Sequence, residues 1–528
     1  MTSASTGGWR ARVQGLLACL ASPVGIAVAI ALYLGALFVL RLVLFPGASE
    51  DDAETLFLAQ SLEGGYKPGQ PPLYIWLAYG LTQLFGPVLP VVVALKFACL
   101  GAIYFLTHRL AHLFTGDGNW AAVASLSVLG IYYLSWDAVL NYSQTVLLAA
   151  LALAFIFALA RLAVDPRGRW SGYIWLGVIA GAGFMTKYNF VVLAVAVLAA
   201  ALLDRGLRRN ILCARGLVSA LIVALMAAPH VTWALAGNLD TASLGQSVPS
   251  SVEAGFMNRL GGLSDMAEAI VSVLSPLLIL LLLFFHRAAG RATEIDETRL
   301  QWRRLCERSF LFLLALMAAI ILISGTSEVR NHWFIVLVPF PAYAVVRIAA
   351  AYPLSSNGRV SGRVGGFVCV MVALGLTVGV GVTARALTLP ASCGKCKMVV
   401  PYDQLAAGLR DAGFTGGTLY SHDYPTQVSG NLRRFFQDSR FLSYKFEAYT
   451  PPVRQTDKGQ CLAVWLLGAG AQSPSKDAVL GSLGRRLGVT SSDDDVLRTI
   501  DVELSGRPSP LRYGYLLIDD PDRQGSCR

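Results

Sequence analysis

Charge is what this chain has least of. Only 14 % of its 528 residues are Asp, Glu, Lys or Arg, against about 25 % in an ordinary soluble domain. A phosphate loop of the form Gly-x-x-x-x-Gly-Lys is missing, which excludes the nucleotide machinery of a cytoplasmic NTPase. Cys393-Gly394-Lys395-Cys396 is a lone CxxC, and no second CxxC or His pair completes a zinc site around it. There is no internal repeat and no low-complexity tract. The basic N-terminus leads into a long apolar stretch without a convincing cleavage site, which reads as an uncleaved first helix. What is present is apolar sequence, 55 % of the chain. Ala27 to Leu44, Val146 to Ala160, Leu274 to Phe285, Leu311 to Ile323 and Val368 to Val382 are cores of windows that suit membrane spans.

The pattern predicts a polytopic α-helical membrane protein with about eleven spans, near 24–45, 88–113, 119–136, 142–163, 170–185, 188–204, 211–233, 266–286, 308–325, 331–350 and 364–387. Lys and Arg divide unevenly between alternate loops. One set holds nineteen arginines, among them Arg10, Arg109, Arg208, Arg303 and Arg347. The other, before the tail, holds Lys67, Lys187, Arg259 and Arg330, with Arg41 and Arg385 near helix ends. The positive-inside rule makes the first set cytoplasmic. The formal net charge of +10 is then largely topological and asks for no nucleic acid. The first loop and the tail from about Thr388 face outward in this arrangement.

The tail changes character. A helical stretch (YDQLAAGLRDAGF) precedes GGTLYSH, which reads as a strand. CLAVWLL is an apolar run of strand length, and SKDAVLGSLGRRLG is amphipathic. Alternating helix and strand patterns predict a small α/β domain over 388–528, after a membrane domain over 1–387. Cys393 and Cys396 lie in this outward part, so a structural disulfide, Cys393 with Cys396 or another tail cysteine, is the first choice there.

The residues that can do chemistry begin with the first loop, 46–87. Asp51, Asp52 and Glu54 form an acidic cluster directly after the first span. Acids favour a helix N-terminus for purely structural reasons. They also suit a base that removes a proton from an acceptor, and adjacent carboxylates raise one another's pKa. A divalent cation on this loop stays open, although no His or Cys joins the acids, and no other cofactor is implied. Pro71-Pro72 gives an extended entry into an apolar helix carrying Tyr74, whose ring suits either the membrane interface or a sugar. Lys96, Asp137, Asn141, Gln144 and Lys187 interrupt apolar segments, and charges in such places are functional candidates. Lys96 reads as snorkelling or paired internally. Arg330 and His332 stand together before the tenth span. An arginine there suits a structural salt bridge or a phosphate clamp.

These residues carry a resemblance. The run DDAETLFLAQSLEGGYKPGQPPLYIWL resembles the first periplasmic loop of bacterial glycosyltransferase family 39 proteins. These are GT-C enzymes related to protein O-mannosyltransferases and to the lipid A aminoarabinose and galacturonic acid transferases. Asp51 matches the family's catalytic Asp, Asp52 stands where Glu is usual, and Pro71-Pro72-Leu73 matches a Pro-Pro-Leu. Gly183 to Tyr188 resembles Gly-Leu-(Leu/Met)-(Ser/Thr)-Lys-Tyr, and Arg330 to Trp333 resembles Arg-x-x-Trp. Two positions depart. Gln70 stands where many relatives have Lys, with Lys67 three residues earlier, and Ser143-Gln144-Thr145 replaces a second Asp or a His, a role Asp137 is placed to take.

The resemblance implies a multi-pass protein of the bacterial inner membrane with the first loop and tail periplasmic. It implies transfer of a sugar from a polyprenyl-phosphate carrier to an envelope lipid, glycan or protein. Asp51 and Asp52 are the expected catalytic pair. Lys67, Lys187 and Arg330 are expected at the leaving phosphate, and Glu54, Asp137, Gln70, Tyr74 and His332 near the substrates. A transporter or flippase of lipid-linked saccharides is the alternative, but transporters usually show two related halves with broken helices, and no repeat is visible. A membrane-anchored scaffold would leave the acidic loop without a purpose.

Overall fold

The computed structural model describes residues 8–66, 70–164, 169–238, 256–286, 297–326, 329–356, 359–392, 397–422, 426–452, 459–467, 474–488 and 496–519. The main helices in chain order are α1 (Gly8–Leu20), α2 (Pro23–Leu44), α3 (Glu50–Leu58), α4 (Leu73–Phe85), α5 (Leu89–Thr115), α6 (Gly118–Ser127) and α7 (Ser143–Val164). They continue with α8 (Trp170–Phe184), α9 (Asn189–Leu202), α10 (Ala214–Trp233), α11 (Phe256–Leu274), α12 (Leu277–Phe285), α13 (Glu297–Ser324), α14 (Phe340–Ala351) and α15 (Gly362–Ser392). The tail adds α16 (Tyr402–Asp411), α17 (Gln427–Leu432) and α18 (Lys476–Leu487).

Among the described residues, six helices are long and apolar enough to cross a membrane: α2, α5, α7, α10, α13 and α15. A bent pair, a 3₁₀ segment over Asn331–Leu337 followed by α14 at 45°, is a candidate for a seventh, as a broken span or a re-entrant loop. Leu32 and Val43 on α2 are 72 % and 73 % exposed, apolar surface that lipid covers and water would not tolerate. The protein is therefore multi-pass, and among the described residues several of the eleven expected windows hold shorter or interrupted helices. The 119–136 window holds α6, which ends at Ser127, then 3₁₀ and π turns. The 170–185 and 188–204 windows hold helices of only 15 and 14 residues. The 266–286 window splits into α11 and α12 around Pro276, which has no N–H to continue a helix. Average hydropathy does not register where backbone hydrogen bonding stops.

The chain forms two compact units, Met1–Leu37 with Gly69–Pro71 and Phe97–Val378, and Phe38–Pro68 with Pro72–Lys96 and Gly379–Arg528. The first loop belongs with the tail, because α3 is bonded to tail residues along its length.

In the second unit the tail builds a five-stranded mixed sheet from β1 (Gly417–Ser421), β2 (Arg440–Ser443), β3 (Gln460–Leu466), β4 (Arg498–Val502) and β5 (Leu511–Asp519). Their spatial order is β2-β1-β3-β5-β4. β1 runs parallel to both neighbours, with Leu419 opposite Phe441 and Leu462, while β5 is antiparallel to β3 and β4. β1 and β2 are buried at every position, as parallel strands covered on both faces must be. Tyr420, Leu442, Ala463, Trp465, Val479, Leu483 and Leu516 form one core between the sheet and α18. Cys461 in this core is disulfide-bonded, whereas Cys19, Cys99, Cys213, Cys306 and Cys369 are free thiols. Cys393 and Cys396 lie outside the described residues.

Candidate active site

The acidic segment of the second unit folds into α3 because Ser49 caps it, its hydroxyl oxygen accepting from the Asp52 N–H at 3.3 Å. Three carboxylates in the first turn also complement the positive end of the helix. A helix turns by about 100° per residue, so adjacent acids face different surroundings. Glu50 and Glu54, four residues apart, share a face. Lys397 pairs with the first and Lys445 with the second. Asp52 points elsewhere, where the Lys96 ammonium lies 3.1 Å from both carboxylate oxygens and the Arg41 guanidinium 3.6 Å from Oδ2. All three side chains are fully buried. Arg41 also donates to the carbonyls of Phe45 and Gly47 at 3.0 Å, which fixes the path from α2 into α3. Asp51 projects between these two directions. It is half-buried, and its backbone carbonyl accepts from the Thr55 hydroxyl at 2.7 Å.

Electrostatics separate these acids. Burial alone would raise the Asp52 pKa, but the charges of Lys96 and Arg41, with hydrogen bonds from Ser49 and Lys96, hold it below the ordinary carboxylate range. Asp52 is therefore a committed anion inside an ion triad. Burial pushes Glu54 upward, opposed by Lys445 and reinforced by the nearby Asp51 and Glu50 charges. Among the described residues no three His, Cys, Asp or Glu gather to hold a metal ion. Glu50, Asp52 and Glu54 take their countercharge from lysines.

The first unit holds a second cluster. Gly183 closes α8 beneath the Phe190 ring, so closely that a Cβ there would overlap it. The Thr186 hydroxyl donates to the Ala182 carbonyl at 2.8 Å. This junction places Lys187, whose ammonium donates to the Thr145 hydroxyl on α7 at 2.8 Å. His332 lies near enough to both Lys187 and Arg330 for their charges to act on its ring. Tyr142, in a left-handed conformation at φ 59°, stacks on Tyr133 at 5.1 Å and stands 6.4 Å from His332. The Tyr188 hydroxyl and His230 Nε2 are 2.8 Å apart. Cations, hydroxyls and rings in one place suit an anionic, sugar-bearing ligand.

The expected site residues thus fall into two groups. Asp51, Asp52 and Glu54 share α3, and Lys187, Arg330 and His332 cluster in the first unit. Asp137 is half-buried at the end of a π turn, its charge acting on Tyr133. Gln70 is half-buried, and Tyr74 is completely buried in α4. Lys67 lies outside the described residues. Sequence reasoning missed Arg41, Lys397 and Lys445. A lysine within an apolar run demands a carboxylate, so Lys96 carried a signal for Asp52. The tail lysines carried none, being hundreds of residues away.

Comparison with known proteins adds the chemistry. A family model described as dolichyl-phosphate-mannose-protein mannosyltransferase matches residues 69–233. Two lipopolysaccharide core galacturonosyltransferases of Rhizobium johnstonii align along most of the chain. RgtB is 28 % identical over 89 % of this chain and 92 % of its own length, and RgtA 29 % over 82 % and 86 %. By these similarities the chain is a glycosyltransferase that resembles the GT-C enzymes. The enzyme also shares its fold with ArnT from Cupriavidus metallidurans, solved with undecaprenyl phosphate, at a TM-score of 0.60 over 94 % of this chain and 97 % of that one, with 13 % identity. The transporter reading finds no support, since these relatives are transferases.

Proposed function

We propose that the enzyme transfers galacturonic acid from a polyprenyl-phosphate carrier to the lipopolysaccharide core at the periplasmic face of the inner membrane. The galacturonosyltransferase relatives, aligned over more than four-fifths of the chain, support the sugar and the acceptor. The undecaprenyl phosphate bound to the structural relative supports the carrier. The arginine asymmetry of the loops supports the outward orientation.

The reading rests on the place of Asp51, in the first turn of a helix capped by Ser49 and fixed by the Glu50–Lys397, Asp52–Lys96 and Glu54–Lys445 pairs, and on its match to the Asp of the resembled first loop. In this reading Asp51 is the base. The acceptor hydroxyl gives its proton to the Asp51 carboxylate as its oxygen bonds to the anomeric carbon. The bond from that carbon to the phosphate oxygen breaks, and polyprenyl phosphate leaves with the electron pair. Lys187 and Arg330, with Lys67, carry the charge growing on that phosphate, and His332 and Asp137 serve substrate orientation. Asp52 acts through structure, holding α3 against Lys96 and Arg41.

The test is transfer in proteoliposomes from polyprenyl-phosphate galacturonic acid to a truncated lipopolysaccharide core, beside the matching aminoarabinose donor. Galacturonic acid transfer that disappears in Asp51→Asn is the expected result. Preference for aminoarabinose would overturn the sugar, and an active Asp51→Asn would overturn the base.

A further inference from the structure

Helix α3 is short, yet it is held by the tail in three ways. Ion pairs fix one face at the start and the middle, Glu50 to Lys397 and Glu54 to Lys445, and the second pair is largely enclosed, with 14 % and 16 % of its side chains exposed. Tail side chains also seize the backbone at each end. Asn431 Oδ1 accepts from the Ala48 N–H at 2.8 Å, and the Arg433 guanidinium donates to the Leu56 carbonyl. Both side chains are buried, at 0 % and 1 % exposure. Between them the two backbones touch. A Cβ on Gly430 of α17 would overlap the Ala53 carbonyl oxygen, so only glycine permits this approach. Just beyond α3, Gln60 exchanges two hydrogen bonds with the Phe441 backbone of β2, at 3.0 and 2.8 Å.

A helix held at both ends and along one face cannot turn about its own axis. Asp51 stands about 100° around from the Glu50 position. A turn of about 20°, at a side-chain radius of about 5 Å, would move its carboxylate by roughly 2 Å. Displacements of about 1 Å already cost on the order of 100-fold in rate. We propose that the tail domain is part of the catalytic apparatus. Through Lys445, Arg433 and Gly430 it sets the rotation of α3, and Glu54 is a positioning residue that acts through Lys445, not a contact of the acceptor. This inference rests on the reading of Asp51 as the base.

The experiment uses the full-length enzyme in proteoliposomes with a polyprenyl-phosphate-linked sugar donor, comparing Lys445→Glu, Glu54→Lys and the double charge reversal, with Asp51→Asn beside them. Each single reversal should lower kcat about 100-fold while the donor KM changes less than about twofold, since neither Glu54 nor Lys445 is assigned to the donor phosphate. The double reversal restores the pair and should recover kcat to within about tenfold of wild type. Gly430→Ala, which alters no charge, should lower kcat in the same way. Single variants within threefold of wild type would overturn the inference. So would a double variant that folds yet stays as slow as the singles, because Glu54 would then be needed for itself. Should Lys445→Glu fail to fold, Lys445→Gln removes the pair without reversing charge and is read by the same two criteria. An active Asp51→Asn marks failure of the base. A dead Asp51→Asn with active reversals marks failure of the positioning alone.

Discussion

Two lysines in this enzyme stand beside apolar helices and have opposite fates. Lys96 on α5 is completely buried and doubly bonded to the Asp52 carboxylate, with Arg41 as a third member. Lys187 is half-buried at the junction of α8 and α9, with the Thr145 hydroxyl on its ammonium and the rings of a polar cluster nearby. A buried cation is tolerated when a carboxylate neutralises it at short range, and the pair then becomes scaffold. A cation that stays partly accessible at a polar junction is a candidate to meet an anionic ligand. The same contrast separates Asp52 from Asp51. Adjacent residues of one type, turned about 100° apart, become a structural anion and a candidate base.

The sharpest break of this contrast is Asp51→Asn. It should lower kcat about 10²–10⁴-fold, the usual worth of a general base, with an unfolding midpoint like that of wild type. Turnover and a melting curve in detergent check both halves, and a large shift in melting would place Asp51 with the scaffold instead.

Lys96→Met comes next, with the opposite signature. Leaving Asp52 buried without its ammonium should cost about 3–5 kcal/mol of stability. Adding Asp52→Leu should return only part of that loss, because it removes the lone carboxylate but leaves Arg41, the third buried member, without its anion. Denaturant unfolding of the single and double variants measures it, and an additive double variant would argue against the triad.

Lys187→Ala should spare stability and lower kcat/KM about 10- to 100-fold, the scale of one hydrogen bond to a charged group. Donor titration kinetics distinguish this from a folding defect. Wild-type kinetics would remove Lys187 from the phosphate site.

The smallest effect is on the acid limb of stability. The Asp52 pKa is lowered on folding, so its contribution is complete above the unfolded value of about 3.9 and fades as pH falls below it. Melting curves between pH 3 and 7 should show wild type losing stability toward the acid end. The Asp52→Leu, Lys96→Met double variant should show a flatter profile there, and identical slopes would mean that other groups set the limb.

Much of this was legible in the chain itself. Runs of apolar residues long enough to span a bilayer appear as α2, α5, α7, α10, α13 and α15, because hydrophobic length is a local property. GGTLYSH and CLAVWLL form β1 and β3, and the amphipathic tail segment forms α18, because periodicity is local too. The EDDAE segment begins a helix, as acids at an N-terminus favour. Tertiary structure decided which carboxylate was taken and by what. Lys96 lies 44 residues from Asp52 and Lys445 391 residues from Glu54, distances over which no spacing rule operates. It also broke spans that hydropathy had drawn as continuous. Local sequence selects helix, strand and apolar face because those energies depend on near neighbours. Charge pairing and helix rotation depend on what folding brings within a few ångströms, and there the tail meets the loop.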